Sequence, residues 1–356
     1  MMFPAAAVPL LLDWYRQNRR DLPWRESRDP YRVLVSEIML QQTRAETVKP
    51  YFHRFLAALP TVEALAEAEE ATLLKLWEGL GYYSRVRNLQ KAARAVMEHH
   101  GGAIPADFDA LLALPGVGRY TAGAVASIAF GIPVPAVDGN VLRVMARLTG
   151  DDTDILSNTA KKNAEAALAP CVPAGDAGDF TQSLIELGAL ICTPGSEPGC
   201  DHCPLHLLCV ARREGKQAEL PVRLAKTKRR VEDRTVLVLG WRDEAGEMRI
   251  ALHKRPAEGL LGGLYEFPCL EGHADEAQVR AHLTALGMTA ATVEKLPAAK
   301  HLFSHIEWRM IGYRVELASP PPATEACFFA GISELDERYA IPSAYAAYRG
   351  ACLTRL

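Results

Sequence analysis

The chain has 356 residues, of which 49% are hydrophobic and 23% are charged, so it can bury a large core and is expected to form more than one domain. Its formal net charge of -3 excludes a uniformly basic nucleic-acid binder, so any phosphate-binding surface must be local. Because no apolar run approaches the roughly 20 residues of a membrane span, and because the N-terminal segment lacks the basic leader of a signal peptide, we expect an intracellular, cytoplasmic protein that has no membrane partner.

The first predicted element of chemical interest is a helix in the segment DPYRVLVSEIMLQQT, residues 29–43. Asp29 is a good N-cap, and Pro30 suits the first helical position. At 3.6 residues per turn, Glu37 falls on the apolar stripe of this helix. A carboxylate among apolar side chains is costly unless it is paired or useful. Glu37 is therefore either a structural carboxylate paired with an arginine or a catalytic acid whose pKa is raised by burial.

A helix, a hairpin turn and a second helix are predicted in DFDALLALPGVGRYTAGAVASIAF, residues 107–130. The PGVG sequence makes a tight turn, and a helix of small residues begins at Arg119. Gly116 and Gly118 would let backbone N–H groups approach an anion closely at a helix N-terminus, which suits a DNA phosphate and needs no base readout. The alternative is a plain αα-hairpin, but the length of the string favours contact with DNA.

The segment VPAVDGNVLRVMARLTG follows, and its apolar spacing predicts another helix with Asp138 at its start. Asp138 could simply be the N-cap, but capping does not exclude catalysis. The helix dipole should hold Asp138 ionised, whereas burial should raise the pKa of Glu37. A protonated acid and an anion are the two carboxyl forms that cleavage of a glycosidic bond uses.

Four of the eight cysteines lie close together in CTPGSEPGCDHCPLHLLC. Disulfides are not expected in a reducing compartment, so this spacing indicates metal or cluster ligation. A single C-x7-C-x2-C-x5-C run favours a [4Fe-4S] cluster over zinc, although four thiolates can serve either metal. The predicted ligands are Cys192, Cys200, Cys203 and Cys209.

A basic run from residue 211 to residue 230 contains eight Arg or Lys against two Glu. Such a run can contact DNA, but it is as often a solvated linker. Beyond it, TVLVLGW and MRIALHKR predict a hairpin, GLYEFP a further strand, and ADEAQVRAHLTALG an amphipathic helix. We therefore expect a catalytic domain at residues 1–215, a linker at 216–230 and a separate α+β domain at 231–356.

The α+β domain offers a rival function. Its segment RPAEGLLGGLYEFP resembles the start of a Nudix fold, which would imply Mg²⁺-dependent hydrolysis of pyrophosphates. That chemistry needs clustered carboxylates on a helix to hold the metal. The predicted helix reads EAQVRAHLTALG and has no such cluster, so we exclude Nudix catalysis.

A series of motifs occurs in an order that is typical of one family. The motifs are LPWR, SEIMLQQT, GLGYYSR, LPGVGRYTAG, VDGN, LGALIC, the cysteine run and KHLFSH. The chain thus resembles the adenine DNA glycosylases of the MutY type across nearly its whole length. The resemblance implies a mainly α fold, with a helix-hairpin-helix glycosylase barrel and a [4Fe-4S] loop domain, followed by a smaller α+β Nudix-like (MutT-like) domain. It also implies DNA base-excision repair on double-stranded DNA that contains A opposite 8-oxoguanine or G.

The same resemblance implies roles for single residues. Glu37 would protonate the flipped adenine, and Asp138 would stabilise the cationic sugar, with Tyr120 and Asn140 as polar orienters. The remaining residues implied by the motifs are Arg25 and Glu186 in the base pocket, Gln42 and Tyr82 near the gap left by flipping, and Phe303, Ser304 and His305 in the loop that recognises 8-oxoguanine. By itself, FSH would be interpreted as a short polar turn between strands. The family implies a monomer, associated with the nucleoid when on DNA.

One departure concerns the first two cysteines, which seven residues separate here, where the family usually has six. The extra residue falls in the Pro/Gly loop TPGSEPG, so it should bulge outward without removing a ligand.

Two alternatives remain beside this hypothesis. An endonuclease III-like glycosylase with lyase activity on oxidised pyrimidines shares the barrel and the cluster, but it typically has lysine in the hairpin where this chain has Tyr120. A non-catalytic lesion-binding module would not need both Glu37 and Asp138. We therefore predict a monofunctional adenine DNA glycosylase that uses water and leaves an intact abasic strand.

Overall fold

The computed structural model describes residues 2–224, 228–321 and 327–352. The chain divides into two compact units. The first unit comprises Met1–Ala68 and Ser84–Ala225, and the second comprises Glu69–Tyr83 and Lys226–Leu356. Within the described ranges, no helix is both long and apolar enough to cross a membrane.

The first unit is helical, and the second combines helices with strands. In chain order, the described α-helices are α1 (Ala7–Asn18), α2 (Pro30–Leu40), α3 (Ala45–Ala58), α4 (Val62–Glu67), α5 (Glu70–Leu76), α6 (Ser84–His100), α7 (Phe108–Ala113), α8 (Arg119–Phe130), α9 (Gly139–Thr149), α10 (Asn158–Leu168), α11 (Ala177–Leu190), α12 (Val210–Arg213), α13 (Glu276–Ala285), α14 (Ile332–Glu337) and α15 (Ala346–Arg349). The described strands are β1 (Arg230–Arg242), β2 (Met248–Lys254), β3 (Tyr265–Glu266), β4 (Cys269–Glu271), β5 (Ala290–Leu302), β6 (Ile306–Leu317) and β7 (Phe328–Gly331).

The helices that carry the predicted site begin where capping residues predict. Asp29 accepts a hydrogen bond from the backbone N–H of Arg32 at 2.8 Å and starts α2. Asp138 accepts one from the N–H of Val141, also at 2.8 Å, and starts α9. These side chains satisfy N–H groups that the first turn of a helix leaves without a partner.

The predicted helix-hairpin-helix is formed by α7, a tight turn and α8. Gly116 in this turn has a φ of 75°, in the left-handed region that favours glycine. A Cβ atom at Gly116 would also lie 2.4 Å from Cβ of Asn88 in α6, so the turn is held close to that helix. Gly118 is the N-cap residue of α8.

The core of the first unit holds the site helices together. The apolar side of α9 packs on α11, which in turn packs on the N-terminal helix α1. Fully or almost fully buried members of this core are Leu11, Val141, Met145, Phe180, Leu184 and Leu187. Because a packed interior resists displacement, the polar ends of these helices are held in place by their buried faces.

The second unit is built on a mixed sheet with the strand order β3-β2-β1-β6-β5, to which β4 and β7 add beside β1 and β2. Strands β1 and β6 run parallel, and the other pairs are antiparallel. Alternate residues of β1 face opposite sides of the sheet. Val236 and Val238 join the core that contains Tyr345 of the C-terminal segment, whereas Leu237 and Leu239 join the core that contains residues of α13.

One segment lies in a different unit from the one that the sequence suggested. The predicted division at residues 216–230 left residues 69–83 within the catalytic domain. In the structure, Glu69–Tyr83, which includes α5, is grouped with the second unit. Local periodicity carries no information about such a placement, because it depends on contacts with residues more than 200 positions away.

Candidate active site

The buried glutamate of α2 meets the hairpin helix α8. Tyr120, near the start of α8, donates a hydrogen bond from its hydroxyl to Oε2 of Glu37 at 2.6 Å. Glu37 is only 6% exposed. Burial raises the pKa of Glu37 to about 7, against the lowering effects of the Tyr120 hydrogen bond and the Arg25 charge. The partner of Glu37 is thus a tyrosine hydroxyl rather than a paired arginine, and the carboxyl can carry a proton near neutral pH.

Asp138 lies in the same cleft as Glu37. Its two carboxylate oxygens accept hydrogen bonds from the N–H of Val141 and from Nδ2 of Asn140, each at 2.8 Å. Burial nevertheless raises the pKa of Asp138, while these hydrogen bonds and the charge of Arg143 lower it. Desolvation in the cleft thus opposes the helix dipole, which was the effect that the sequence analysis considered for Asp138.

The two carboxyls still differ in a way that suits different roles. Asp138 receives hydrogen bonds from a backbone N–H and from an amide, and a guanidinium lies nearby. Glu37 is hydrogen-bonded by a tyrosine hydroxyl and is more completely buried. Hydrogen bonds to a carboxylate favour its ionised form, so we expect Asp138 to ionise first and Glu37 to keep its proton longer.

The orientation of Asn140 is set by an arginine that the sequence analysis missed. Nη2 of Arg143 donates to Oδ1 of Asn140 at 2.9 Å and to the carbonyl oxygen of Gly188 at 2.8 Å. Nε of Arg143 donates to the carbonyl oxygen of Cys192, also at 2.8 Å. Because its oxygen faces Arg143, Asn140 must present its amide N–H to Asp138. The spacing of three residues on one helix was the available signal.

A second buried carboxylate, Glu186, forms a network with Arg25 and Arg20. Nη2 of Arg25 lies 2.9 Å and Nη2 of Arg20 lies 2.8 Å from Oε2 of Glu186. Burial by itself would raise the pKa of Glu186, but the hydrogen bonds from both arginines lower it to about 2. The two predicted pocket residues are thus in contact, and Arg20 completes a group that the sequence analysis did not contain.

The QQT segment after α2 is held by Arg85, another residue that the sequence analysis missed. Nη1 of Arg85 donates to the carbonyl oxygens of Ile38, Met39 and Gln41 at 3.0, 2.9 and 2.6 Å. The next residue, Gln42, has a backbone φ of 58°, which residues other than glycine rarely adopt. Strained backbone of this kind is often found at functional positions.

One cleft of about 1570 Å³ in the first unit collects most of the predicted residues. Predicted residues that line it are Arg25, Glu37, Gln42, Gly116, Gly118, Tyr120, Asp138, Asn140 and Glu186. Its wall also carries Arg44, Lys161 and Arg223, which supply positive charge. The volume exceeds that of typical small-molecule pockets, and a basic cleft of this size can admit a nucleotide.

Four further predicted residues belong to the second unit: Tyr82, Phe303, Ser304 and His305. Tyr82 is 47% exposed and has a φ of 47°, and its hydroxyl lies 3.4 Å from Oγ of Ser304. Ser304 and His305 are exposed in the turn between β5 and β6. The ring of Phe303 instead packs against Trp308, with ring centroids 4.8 Å apart. Phe303 therefore supports the turn from inside, while Ser304 and His305 can contact a ligand.

The four clustered cysteines line one cavity together with Arg147 and Arg212. Arg147 donates to the carbonyl oxygens of Thr193 and Gly195, and its Nη1 lies 3.5 Å from Sγ of Cys192. Residues 194–197 of the longer loop are exposed, so an additional residue at these positions can lie toward solvent.

Thiols are the donor type that binds both iron-sulfur clusters and zinc. Among the described residues, no group of three His, Cys, Asp or Glu side chains could hold one metal ion. Burial raises the pKa of Cys203 to about 12 and also raises that of Cys209. Positive charge from a bound metal ion or cluster would favour the thiolate forms of these cysteines.

The helical unit, with its hairpin and its two carboxyls, is that of a base-excision DNA repair protein. Residues 35–172 match the family model of the HhH-GPD superfamily base excision DNA repair protein, and residues 237–349 match that of the NUDIX domain. The chain is 36% identical to the adenine DNA glycosylases of Rattus norvegicus and Homo sapiens. Each match covers 88% of this chain. The matches cover 71% of the length of the Rattus norvegicus protein and 67% of that of the Homo sapiens protein. The chain belongs to the adenine DNA glycosylase family, which confirms the predicted family and fold class.

Solved structures agree for the helical unit. A thermostable thymine-DNA glycosylase is 33% identical, with a TM-score of 0.54, and covers 59% of this chain and 96% of its own. A trapped covalent complex of endonuclease III with DNA is 27% identical, with a TM-score of 0.50, and covers 60% of this chain and 99% of its own. These two matches cover 59% and 60% of this chain, whereas the matches to the adenine DNA glycosylases cover 88%.

Proposed function

We propose that the chain excises adenine that is mispaired with 8-oxoguanine or with guanine in double-stranded DNA, by hydrolysis of the N-glycosidic bond. The observation that carries this proposal is the pair of unlike carboxyls in one cleft. Glu37 can be protonated near neutral pH, and Asp138 is hydrogen-bonded by Asn140 and by a helix N-terminus. An acid for the leaving base and an anion for the cationic sugar are what such a reaction needs.

The residues divide the reaction between them. Glu37 donates its proton to a ring nitrogen of the flipped adenine while the C1′–N9 bond breaks, and the bonding electron pair leaves with the base. Asp138 faces the positive charge that develops on the sugar. Water then adds to C1′ and gives a proton to the Glu37 carboxylate, which restores the acid. Tyr120 and Asn140 hold these two carboxyls in place.

The reaction should depend on pH through Glu37, and Tyr120→Phe tests this. The folded-state pKa of about 7 means that the active, protonated form is lost as pH rises through neutrality. The single-turnover rate should therefore fall by up to about tenfold per pH unit as pH rises above about 7. The Tyr120 hydrogen bond lowers the pKa of Glu37, so its removal should move the falling limb to higher pH. Identical limbs in both proteins would assign the titration to another group.

The helix-hairpin-helix is proposed to bind the phosphate backbone of DNA. Gly116 and Gly118 are exposed beside the N-terminus of α8, and both line the cleft. Helix N-termini and closely approaching backbone N–H groups attract phosphate without reading sequence. The turn between β5 and β6, which contains Ser304 and His305, is called the Ser304 turn below. Because one chain carries both the cleft and the Ser304 turn, we also propose that the protein acts as a monomer.

We further propose that Cys192, Cys200, Cys203 and Cys209 hold a [4Fe-4S] cluster. Its role would be structural, because hydrolysis of an N-glycosidic bond transfers no electrons. The backbone carbonyl contacts of Arg147 tie α9 to the cysteine loop, so a bound cluster would stiffen the helix that begins beside Asp138.

The metal can be tested by composition. Protein purified without oxygen should contain about four irons per chain and show the broad visible absorption of iron-sulfur proteins. Cys203→Ser should lose most of this iron, whereas Cys171→Ser, at a cysteine outside the cavity, should retain it. Stoichiometric zinc in colourless protein would contradict the assignment.

The second unit is proposed to recognise 8-oxoguanine through the Ser304 turn, in line with the proposed domain at residues 231–356. Ser304→Ala should lower excision from 8-oxoguanine:A duplexes more than from G:A duplexes, with about 1–3 kcal/mol of discrimination lost. The assay uses full-length protein and duplexes that differ only in the lesion pair. Thr284→Ala, an exposed hydroxyl of α13, should change neither rate.

Each outcome of this assay has a clear meaning. Excision from neither duplex by the unaltered chain would refute the proposed function. Equal losses on both duplexes for Ser304→Ala would make the second unit a nonspecific clamp. A truncation near Arg230 is a poorer test, because it would also remove the residues that contact Lys75 and Glu78.

A further inference from the structure

The segment Glu69–Tyr83 is fastened to the C-terminal part of the second unit by partly buried polar contacts. Nζ of Lys75 in α5 donates to the carbonyl oxygens of Leu335 and Tyr339 at 3.1 and 3.2 Å, at the end of α14 and just beyond it. A cation at the C-terminal end of a helix is favourably placed relative to the helix dipole. Lys75 also pairs with Glu78 at 2.6 Å.

Glu78 makes the second connection. Its Oε1 accepts a hydrogen bond from the N–H of Ile341 at 3.0 Å and another from Nη1 of Arg349 at 2.7 Å. The side chain of Glu78 is only 14% exposed, so solvent screens this ion pair less than a surface pair. Arg349 is itself held by Asp336 at 2.7 Å. The charged groups thus form a chain from α14 and α15 to the end of α5.

A short loop connects this anchor to an exposed tyrosine. Gly79 and Gly81 have φ values of 100° and 69°, and Nε1 of the buried Trp77 donates to the carbonyl oxygen of Gly81 at 3.1 Å. Tyr82 follows in a left-handed conformation, with its hydroxyl 3.4 Å from Oγ of Ser304. Only three residues separate Glu78 from Tyr82, so movement of the anchor must change where Tyr82 lies.

We propose that the Glu78–Arg349 ion pair is a positioning device that holds Tyr82 beside Ser304 and thereby determines how well 8-oxoguanine is distinguished from guanine. This inference rests on the proposed function of the chain. In this proposal, Arg349 and Glu78 do not contact 8-oxoguanine or guanine themselves. They act by positioning Tyr82. The cores around α14 and α15 are apolar and contain the buried side chains of Leu335, Tyr345 and Tyr348, so they do not depend on the ion pair for burial.

The test measures single-turnover excision from 8-oxoguanine:A and G:A duplexes with full-length variants. Arg349→Met should lower the ratio of the two rates by roughly three- to tenfold, mainly through the 8-oxoguanine:A rate. Arg349→Lys keeps the charge and should restore most of the ratio. Glu78→Gln keeps the shape and should lower the ratio as Arg349→Met does. Arg338→Met, which removes the exposed pair of Arg338 with Glu334, is the matched control and should leave the ratio unchanged.

A double-mutant cycle separates positioning from general stability. If Arg349 acts through the Tyr82–Ser304 contact, Arg349→Met should cause no further loss of the ratio in a Ser304→Ala background. Additive losses, or equal losses on both duplexes in the single variant, would overturn the inference. If the unaltered chain excises adenine from neither duplex, the proposed function fails; if it does so and Arg349→Met leaves the ratio intact, only this inference fails.

Discussion

Glu37→Gln should abolish adenine excision while duplex binding is retained. The amide preserves the shape of the side chain and can still accept the hydrogen bond from Tyr120, which lies 2.6 Å from Oε2 in the native protein. It cannot deliver a proton to the leaving base, a loss of roughly 10²–10⁴-fold or more in the single-turnover rate. Glu63→Gln, at an exposed position of α4, is the matched control and should keep full activity.

The stability of this variant distinguishes lost chemistry from unfolding. The pKa of Glu37 in the folded state is raised to about 7, above its ordinary value of 4.5. Its ionisation therefore costs stability as pH rises between these two values, and glutamine avoids that cost. At pH 8, the free energy of unfolding of Glu37→Gln should equal that of the native chain or exceed it by up to about 3 kcal/mol. Substantial residual turnover by a folded Glu37→Gln variant would contradict the role of Glu37 as the acid that protonates the leaving base.

Tyr120→Lys should convert the reaction from hydrolysis to lyase chemistry. An amine at residue 120 would lie beside Glu37 and face the cleft that contains Asp138. Burial favours the neutral form of lysine, and a neutral amine can attack C1′ as the base leaves. The resulting imine permits strand elimination and is reduced by borohydride to a stable covalent link. We expect little trapped complex with the native chain and clearly more with Tyr120→Lys, with strand cleavage in the absence of alkali.

The control for this experiment uses Lys161. Lys161 is the one lysine among the described residues that line the cleft. Lys161→Gln should leave trapping by Tyr120→Lys intact, which identifies residue 120 as the amine. Efficient trapping and strand scission by the unaltered protein would instead favour the endonuclease III-like alternative, and loss of that trapping in Lys161→Gln would identify the nucleophile.

The sequence predicted the site where local patterns carried enough information. The apolar spacing of α2 buries Glu37, and this burial produces its raised pKa. The capping position of Asp138 also follows from residues near it. Its pKa did not follow, because desolvation depends on the whole cleft.

Long-range arginine contacts were the main omission. Arg20, Arg85 and Arg143 bind a distant carboxylate or backbone carbonyl oxygens, some of them more than 40 residues away. Every residue has a backbone carbonyl oxygen, so a motif of residue types does not predict which of these oxygens an arginine will bind. The grouping of α5 with the second unit escaped notice for the same reason, since Lys75 binds carbonyl oxygens and Glu78 binds an N–H group as well as Arg349.

The discontinuous second unit has a consequence for biosynthesis. Glu78 and Arg349 are 271 positions apart, and translation adds about 5–20 residues per second. All residues that line the cleft, up to Arg223, have been translated before the Ser304 turn exists. A nascent chain can therefore complete its cleft before the partners of Lys75 and Glu78 have been translated. These partners include Leu335, Ile341 and Arg349. A premature stop codon after residue 224 would yield a chain that has the cleft residues but lacks the partners of Lys75 and Glu78.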